Sequence, residues 1–243
     1  MSKYPHYLID IRSPFENFNV SDFIKCADEA VDDCLSKGRI PVVSGGSAYY
    51  FKHFVYGLSD APACDPEVRS EVERMLEDKG LDYLYSELER VDSVSAQRIG
   101  RNNTNRIKRA LEVHMQSGRP LSSFRIPDIP RDKYDFKAFA LFRDRDELVG
   151  RIRSRLDAMF DNGIIEEIDT LKRIGLTLEN QSMNSIGYKE FFLYDDLNVI
   201  RQAIAMNTIH YSKRQMTFFR SLQSKRLPIK WIRLGSNRSY DRI

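Results

Sequence analysis

Cysteine and histidine are scarce in this 243-residue chain, and neither is arranged for chemistry. The three cysteines, Cys26, Cys34 and Cys64, are odd in number and lack C-x-x-C spacing, which argues against a disulfide framework or a zinc site and leaves reduced thiols. His6, His53, His114 and His210 form no H-E-x-x-H or comparable ligand pattern and read as structural residues. No apolar run is long enough to cross a bilayer, and the residues after Met1 lack the regions of a signal peptide. A cytoplasmic protein without membrane contact is the expectation. Repeats and low-complexity tracts are missing as well. So is any G-x-x-x-x-G-K-[ST] loop, the segment that usually cradles a diphosphate or triphosphate.

What is present describes a folded globular protein. Hydrophobic residues make up 42% and charged residues 30%, and the length suits one large domain or two small ones. The net charge of +3 conceals a segregation along the chain. Asp60 to Asp92 holds eleven acids against four bases, whereas Arg201 to Leu234 holds eight bases and no acid. Such a one-sided stretch is usually a solvated helix face. Asymmetry of this size also raises the prior for a polyanionic partner, with nucleic acid the natural candidate.

The apolar pattern suggests the order of elements. His6 to Ile11 reads as a strand stopped at Ser13-Pro14. Ser21 is placed as the N-cap of a helix with a stripe of Phe23, Ala27, Ala30, Val31 and Cys34, ended by Lys37-Gly38. Arg39 to Val43 reads as the next strand, making a βαβ unit suited to a parallel sheet. From Asp65-Pro66 to about Pro120 the pattern is helical throughout, with Val68, Val72, Met75 and Leu76, then Leu84, Leu88 and Val91, as stripes. Strand character returns at Phe136 to Phe142 and again at Ile229 to Leu234. Long helical stretches lie between, from Arg145 to about Arg173 and through Ile200, Ile204, Tyr211 and Phe218. Residues 1–64 and 131–243 are read as an α/β core, and 65–130 as a helical insertion whose far boundary is the proline-marked linker Arg119 to Arg131.

Three constellations carry chemistry. In Ser44-Gly45-Gly46-Ser47, two glycines follow an apolar run and a hydroxyl opens a helix. Glycine lets backbone approach an anion, and the helix start offers unpaired N–H groups and the positive dipole end. Alone, this pattern is more often an ordinary tight turn. In Asn103 to Val113, Asn103 or Thr104 can cap a helix whose buried stripe is Ile107, Ala110, Leu111 and Met115. Arg106 and Arg109 then share a neighbouring face, where two guanidiniums suit phosphate oxygens or, equally, nearby acids. In Tyr211 to Arg220, bases interleave with aromatics. Tyr211, Phe218 and Leu222 fall at core spacing, which leaves Lys213, Arg214 and Arg220 for contact.

Together these stretches resemble the tRNA dimethylallyltransferases, or tRNA isopentenyltransferases. The resemblance runs from Tyr4 to about Leu234. It is carried by Pro5 to Ile11, Ser44-Gly45-Gly46-Ser47 with Tyr50-Phe51-Lys52, and Gly57-Leu58-Ser59 ahead of Asp65 to Arg69. Asn105 to Val113, Ser182-Met183 with Gly187-Tyr188, and Lys213-Arg214-Gln215 continue it. The resemblance implies a P-loop-kinase-like parallel sheet core with an all-helical insertion. It also implies transfer of a dimethylallyl group from dimethylallyl diphosphate to N6 of the adenosine at tRNA position 37, beside the anticodon, with Mg2+ assisting the leaving diphosphate. The adenine would be taken out of its stack, a carboxylate would accept the N6 proton as nitrogen attacks C1, and backbone amides, a lysine and a hydroxyl would hold the diphosphate.

By position, Gly45, Gly46 and Ser47 correspond to the diphosphate site, with Ser47 at a catalytic threonine. Arg69, Asn105, Arg106 and Arg109 correspond to tRNA contacts. Asn184 to Lys189 matches a further contact loop, with Asn184 and Lys189 where arginine is usual, and Lys213 and Arg214 complete the set. Other departures are Asn103 for aspartate, Ile209-His210 for Arg-Gln, and Phe218 for tryptophan. In the family a P-loop and a strand ending in the general-base Asp-Ser segment precede the first matched stretch. That base and the P-loop lysine are therefore expected upstream of Met1, with Asp10 a strand-end residue, the sheet lacking its N-terminal strands, and the isolated chain impaired in transfer and prone to aggregate. The expected partners are the tRNA anticodon arm and dimethylallyl diphosphate, with a monomer in the full-length form. The rival readings are a non-catalytic tRNA-binding remnant and a P-loop kinase relative acting on a small molecule.

Overall fold

The computed structural model describes residues 4–223 and 227–235, and the chain divides into two compact units. One comprises the residues up to Gly57 together with those from Ile129 onward; the other is Leu58–Asp128.

The Leu58–Asp128 unit is built of helices alone. Helix α3 (Pro66–Val91) starts with proline at its first position, where the missing N–H costs nothing, and is broken at Gly80, whose φ of 80° is not helical. Helix α4 (Ser93–Ile99) is capped by Asp92, and α5 (Thr104–Ser117) by the Asn103 side chain, which accepts the Arg106 N–H at 3.3 Å. Their apolar stripes meet in a core of Val72, Leu84, Leu88, Ile107, Ala110 and Leu111. Residues repeating every three or four positions can do this only on helices.

The first half of α3 and α5 run antiparallel, as three pairings at four-residue steps show. Gln116 exchanges hydrogen bonds with the N–H and carboxylate of Asp65, Glu112 faces Arg69, and Lys108 pairs with Glu73. One side-chain ladder therefore fixes the register of the two helices.

In the other unit, α1 (Val20–Ser36) packs on α2 (Ala48–Tyr56), with Ala27, Val31 and Phe54 buried at their junction. The true N-cap of α1 is Asn19, not Ser21. Asn19 and Asp22 form a reciprocal capping box, and the Ser21 N–H is one of the donors it satisfies. The sheet consists of β1 (Ala138–Phe142) parallel to β2 (Ile229–Arg233), with Ala138 opposite Ile229. Between them run α6 (Arg145–Asp161), α7 (Ile164–Arg173), the single turn α8 (Glu190–Leu193) and α9 (Leu197–Gln223). Leu156, Ile164, Ile168, Phe191, Ile200 and Ile204 form the core of that helical layer. Among the described residues no helix is long and apolar enough to cross a membrane.

Two expected strands are not formed. His6 to Ile11 is irregular, with Leu8 and Asp10 at φ of 62° and 55°, a left-handed conformation that no strand tolerates, so Asp10 does not end one. Arg39 to Val43 has no ladder partner among the described residues, and Ile40 and Val42 stand 91% and 84% exposed. β-prone side chains record suitability for a sheet, whereas a strand exists only where a neighbour supplies hydrogen bonds. The α/β architecture stands. Its described parallel pair is β1 with β2, and the expected early βαβ unit is absent from the described residues.

Candidate functional site

The glycine-rich turn is held by α9. The Gly46 carbonyl accepts from the Gln215 side-chain amide at 2.6 Å, from the Tyr211 hydroxyl at 3.1 Å and from the Ala48 N–H at 3.0 Å. A Cβ on Gly46 would meet the end of the Gln215 side chain, which would have to move aside and give up its bond to the Gly46 carbonyl. Gly45 meets nothing within 4 Å. Ser47 then stands at the N-cap of α2, exposed, with its hydroxyl making no cap bond, and no acid occupies the first turn of the helix. The Ser47 hydroxyl is thus presented to solvent at the positive dipole end of α2, an arrangement able to receive an anion.

Tyr211 is a clamp on this turn, a correction to its reading as a core residue. It is 36% exposed, and the Arg214 guanidinium lies 5.9 Å from its ring centre. Phe218 and Leu222 do pack inward, against the β1–β2 layer. Lys213, Arg214 and Arg220 are exposed. Beside Tyr211, a cavity of about 1140 Å³ opens between α6 and α9, lined by Leu148, Arg151, Arg155, Met159, Ile186 and Ile204 among others.

The loop Asn184 to Lys189 is pinned from beneath. Glu190 is fully buried and accepts from the Gly187 N–H at 2.8 Å and the Asn207 amide at 2.7 Å. Gly187 has φ of 101°, which only glycine adopts without strain. Tyr188 donates to Glu167 at 2.7 Å; that bond, with burial second, pushes its hydroxyl up to about 12. Asn184 spends its amide donors inside the loop, on the carbonyls of Leu178 and Asn180. Lys189 is half-buried.

In the helical unit, Asn105 and Arg106 are exposed on the first turn of α5. Arg109, one turn on, donates to the Pro62 carbonyl at 2.7 Å and faces Glu112, as does Arg69 from α3. Arg69 and Arg109 therefore converge on one carboxylate, and Arg106 lies a turn away. Three residues that matter here were not assigned roles from the sequence: Gln215, Glu112 and Glu190. Each lies inside or beside a matched motif, and a carboxylate next to apolar neighbours in a helical stripe was the available signal for Glu112.

Comparison with known proteins identifies the family. The family model for IPP transferase matches residues 1–222. The chain is 37% identical over 236 residues to tRNA dimethylallyltransferase 2 of Geotalea daltonii, covering 95% of this chain and 71% of that protein. It is 40% identical over 223 residues to tRNA dimethylallyltransferase 1 of Trichlorobacter lovleyi, covering 89% and 73%. The crystal structure of the full-length tRNA isopentenylpyrophosphate transferase of Bacillus halodurans superposes with a TM-score of 0.60 at 30% identity, covering 95% of this chain and 72% of that one. A eukaryotic dimethylallyltransferase acting on tRNA shares the fold, with a TM-score of 0.76 at 22% identity over 94% of this chain and 60% of that one. The family match over residues 1–222 and these relatives place the chain in the IPP transferase family, the prenyltransferases that include the tRNA dimethylallyltransferases.

Proposed function

We propose that this chain is a cytoplasmic tRNA dimethylallyltransferase whose residues grip the tRNA anticodon arm and form part of the diphosphate site. What carries the reading is the family match over residues 1–222, which takes in both the glycine turn and the α3–α5 unit. The Ser47 hydroxyl and the N–H groups of Gly45, Gly46 and Ser47 would meet the diphosphate of dimethylallyl diphosphate and stabilise the charge that grows as C1 separates from it. Arg69, Asn105, Arg106 and Arg109 from one unit, with Asn184, Lys189, Lys213 and Arg214 from the other, would contact tRNA, the bases neutralising backbone phosphates.

The acceptor in this reading is N6 of adenosine 37, turned out of its stack. Its nitrogen attacks C1, and the proton it sheds needs a carboxylate. We assign that base, and the P-loop lysine, to no residue of this sequence. Mg2+, which the family resemblance implies, would neutralise the leaving diphosphate. Among the described residues no group of three or more His, Cys, Asp or Glu side chains is arranged to hold a metal ion, and Mg2+ is ordinarily held largely by substrate phosphates and water.

The test is to incubate the purified chain with dimethylallyl diphosphate, Mg2+ and tRNA lacking the modification, measuring prenyl transfer and tRNA binding in parallel. Salt-dependent tRNA binding with little transfer is expected. Robust transfer would overturn the placement of the base outside these residues, and binding without salt dependence would overturn the tRNA-binding surface.

A further inference from the structure

The carboxylate of α5 that is shut away from water lies between the two converging arginines. Glu112 is 7% exposed, with buried Leu111 and Val113 on either side in the chain. Its Oε1 is 4.0 Å from Arg69 Nε and its Oε2 is 3.6 Å from Arg109 Nη1, while the two arginine side chains are 61% and 40% exposed. Removing a carboxylate from water is unfavourable unless positive charge is at hand, and two neighbouring guanidiniums repel unless negative charge lies between them. Each problem is the solution to the other. At 3.6 and 4.0 Å neither arginine is saturated by hydrogen bonds to the carboxylate, so N–H donors stay available for another oxyanion. Arg109 is fixed a second time through its bond to the Pro62 carbonyl.

An acid at this place lowers the positive charge of a surface that would bind a polyanion. Plain electrostatics would have it removed. We propose that Glu112 is a positioning residue, holding Arg69 and Arg109 side by side so that both meet tRNA phosphates, and that geometry here outweighs the charge it subtracts. This rests on the proposed tRNA-binding role of those arginines. Long, flexible guanidinium stems lose rotamer entropy when they bind, and a carboxylate that has already ordered them removes part of that loss from the binding step.

The two effects predict opposite signs for Glu112→Gln, which keeps the shape and removes the charge. Affinity for fluorescently labelled tRNA would be measured across a salt series for the full chain, Glu112→Gln, Glu112→Asp, Arg69→Ala, Arg109→Ala and the Arg109→Ala/Glu112→Gln pair, with helicity and melting temperature recorded for each. We expect Glu112→Gln to bind about sixfold more weakly near 0.1 M salt, the contribution of roughly one phosphate contact, with a correspondingly shallower salt slope. Glu112→Asp should recover part of the loss, and Glu112→Gln should add little once Arg109 is gone. Tighter binding or a steeper slope for Glu112→Gln, with Arg109→Ala weakened, would overturn the positioning role while leaving the tRNA surface intact. Unchanged binding in both Arg69→Ala and Arg109→Ala would overturn the surface itself and the proposal with it. Should Glu112→Gln lose helicity, Glu112→Asp decides: tighter binding or a steeper salt slope than that of the parent chain refutes the role.

Discussion

Arg106 and Lys108 lie two residues apart on α5, yet they should differ sharply in their contribution to RNA binding. Arg106 is exposed and has no ion pair among the described residues. Lys108 is 18% exposed along its side chain and already paired with Glu73, so recruiting it to a phosphate would first break that rung. Neutralising one backbone phosphate contributes about 0.7 to 0.9 to the slope of log affinity against log salt, which near 0.1 M amounts to about a sixfold gain in affinity and vanishes toward 1 M. Arg106→Ala should therefore cost about sixfold near 0.1 M salt and flatten the slope by that amount. Lys108→Ala should leave the slope unchanged. Anisotropy titrations of labelled tRNA from about 0.05 to about 0.5 M salt span enough of that range to resolve the difference. An unchanged slope for Arg106→Ala, or equal flattening by Lys108→Ala, would show that burial and pairing do not sort the cations of this surface.

Three further outcomes concern the scaffold. Asp28 receives two hydrogen bonds from Arg131, at 2.8 and 2.9 Å, with both side chains about a fifth exposed; its burial favours the neutral acid, but the bonds and charge of Arg131 prevail and hold its carboxyl below the usual range. Asp28→Ala should cost about 2 kcal/mol, less than a fully buried pair because water screens part of it, read from urea melts followed by Trp231 fluorescence. Since the folded state binds that proton less readily, the contribution is complete above the unfolded carboxylate pKa of about 4 and is lost as pH falls below it; a melt in which Asp28→Ala and the parent chain converge only above neutral pH would refute this. Glu190→Ala leaves the Gly187 N–H and the Asn207 amide without their acceptor, at about 1 to 3 kcal/mol for each buried donor, and a loss below about 1 kcal/mol would mean that water replaces the carboxylate. Gly46→Ala should displace Gln215 and cost about 1 kcal/mol through the lost bond to the Gly46 carbonyl, a penalty that should disappear in a Gln215→Ala background.

The helices were legible because their evidence is local. The stripe Ile107, Ala110 and Leu111 of α5, its Asn103 cap and its end at Gly118 all lie within one short run of sequence, as does the Lys37-Gly38 stop of α1; Met115, expected in that stripe, is exposed, and Val113 is buried instead. Strands were legible only where a partner exists: Phe136 to Phe142 and Ile229 to Leu234 find each other across some ninety residues, as a β1–β2 pair that propensity does not encode. The same blindness to partners made strands of His6 to Ile11 and Arg39 to Val43. At the candidate site, residue type pointed to the right turn for an incomplete reason. Gln215, far along the chain, closes over Gly46, and Tyr211 left the core stripe because its hydroxyl bonds to that same carbonyl. Glu112 shows the converse: its neighbours in sequence announce burial, but the arginine on α3 that makes burial tolerable is visible only in three dimensions.

The ladder joining Asp65, Arg69 and Glu73 to Gln116, Glu112 and Lys108 also limits how this gene can change length. All three rungs share one period, so a single-residue insertion between Pro66 and Glu73 would rotate part of α3 by about 100° and misalign the rungs on one side of it together. At Gly80 the helix is already broken, and a residue inserted at the break would be absorbed there without reaching the arginines, whereas past it Leu84 and Leu88 are again core residues of a helix. Length variation in α3 should therefore be confined to the break at Gly80, with the segment from Asp65 to Glu73 held at constant length by its partners on α5.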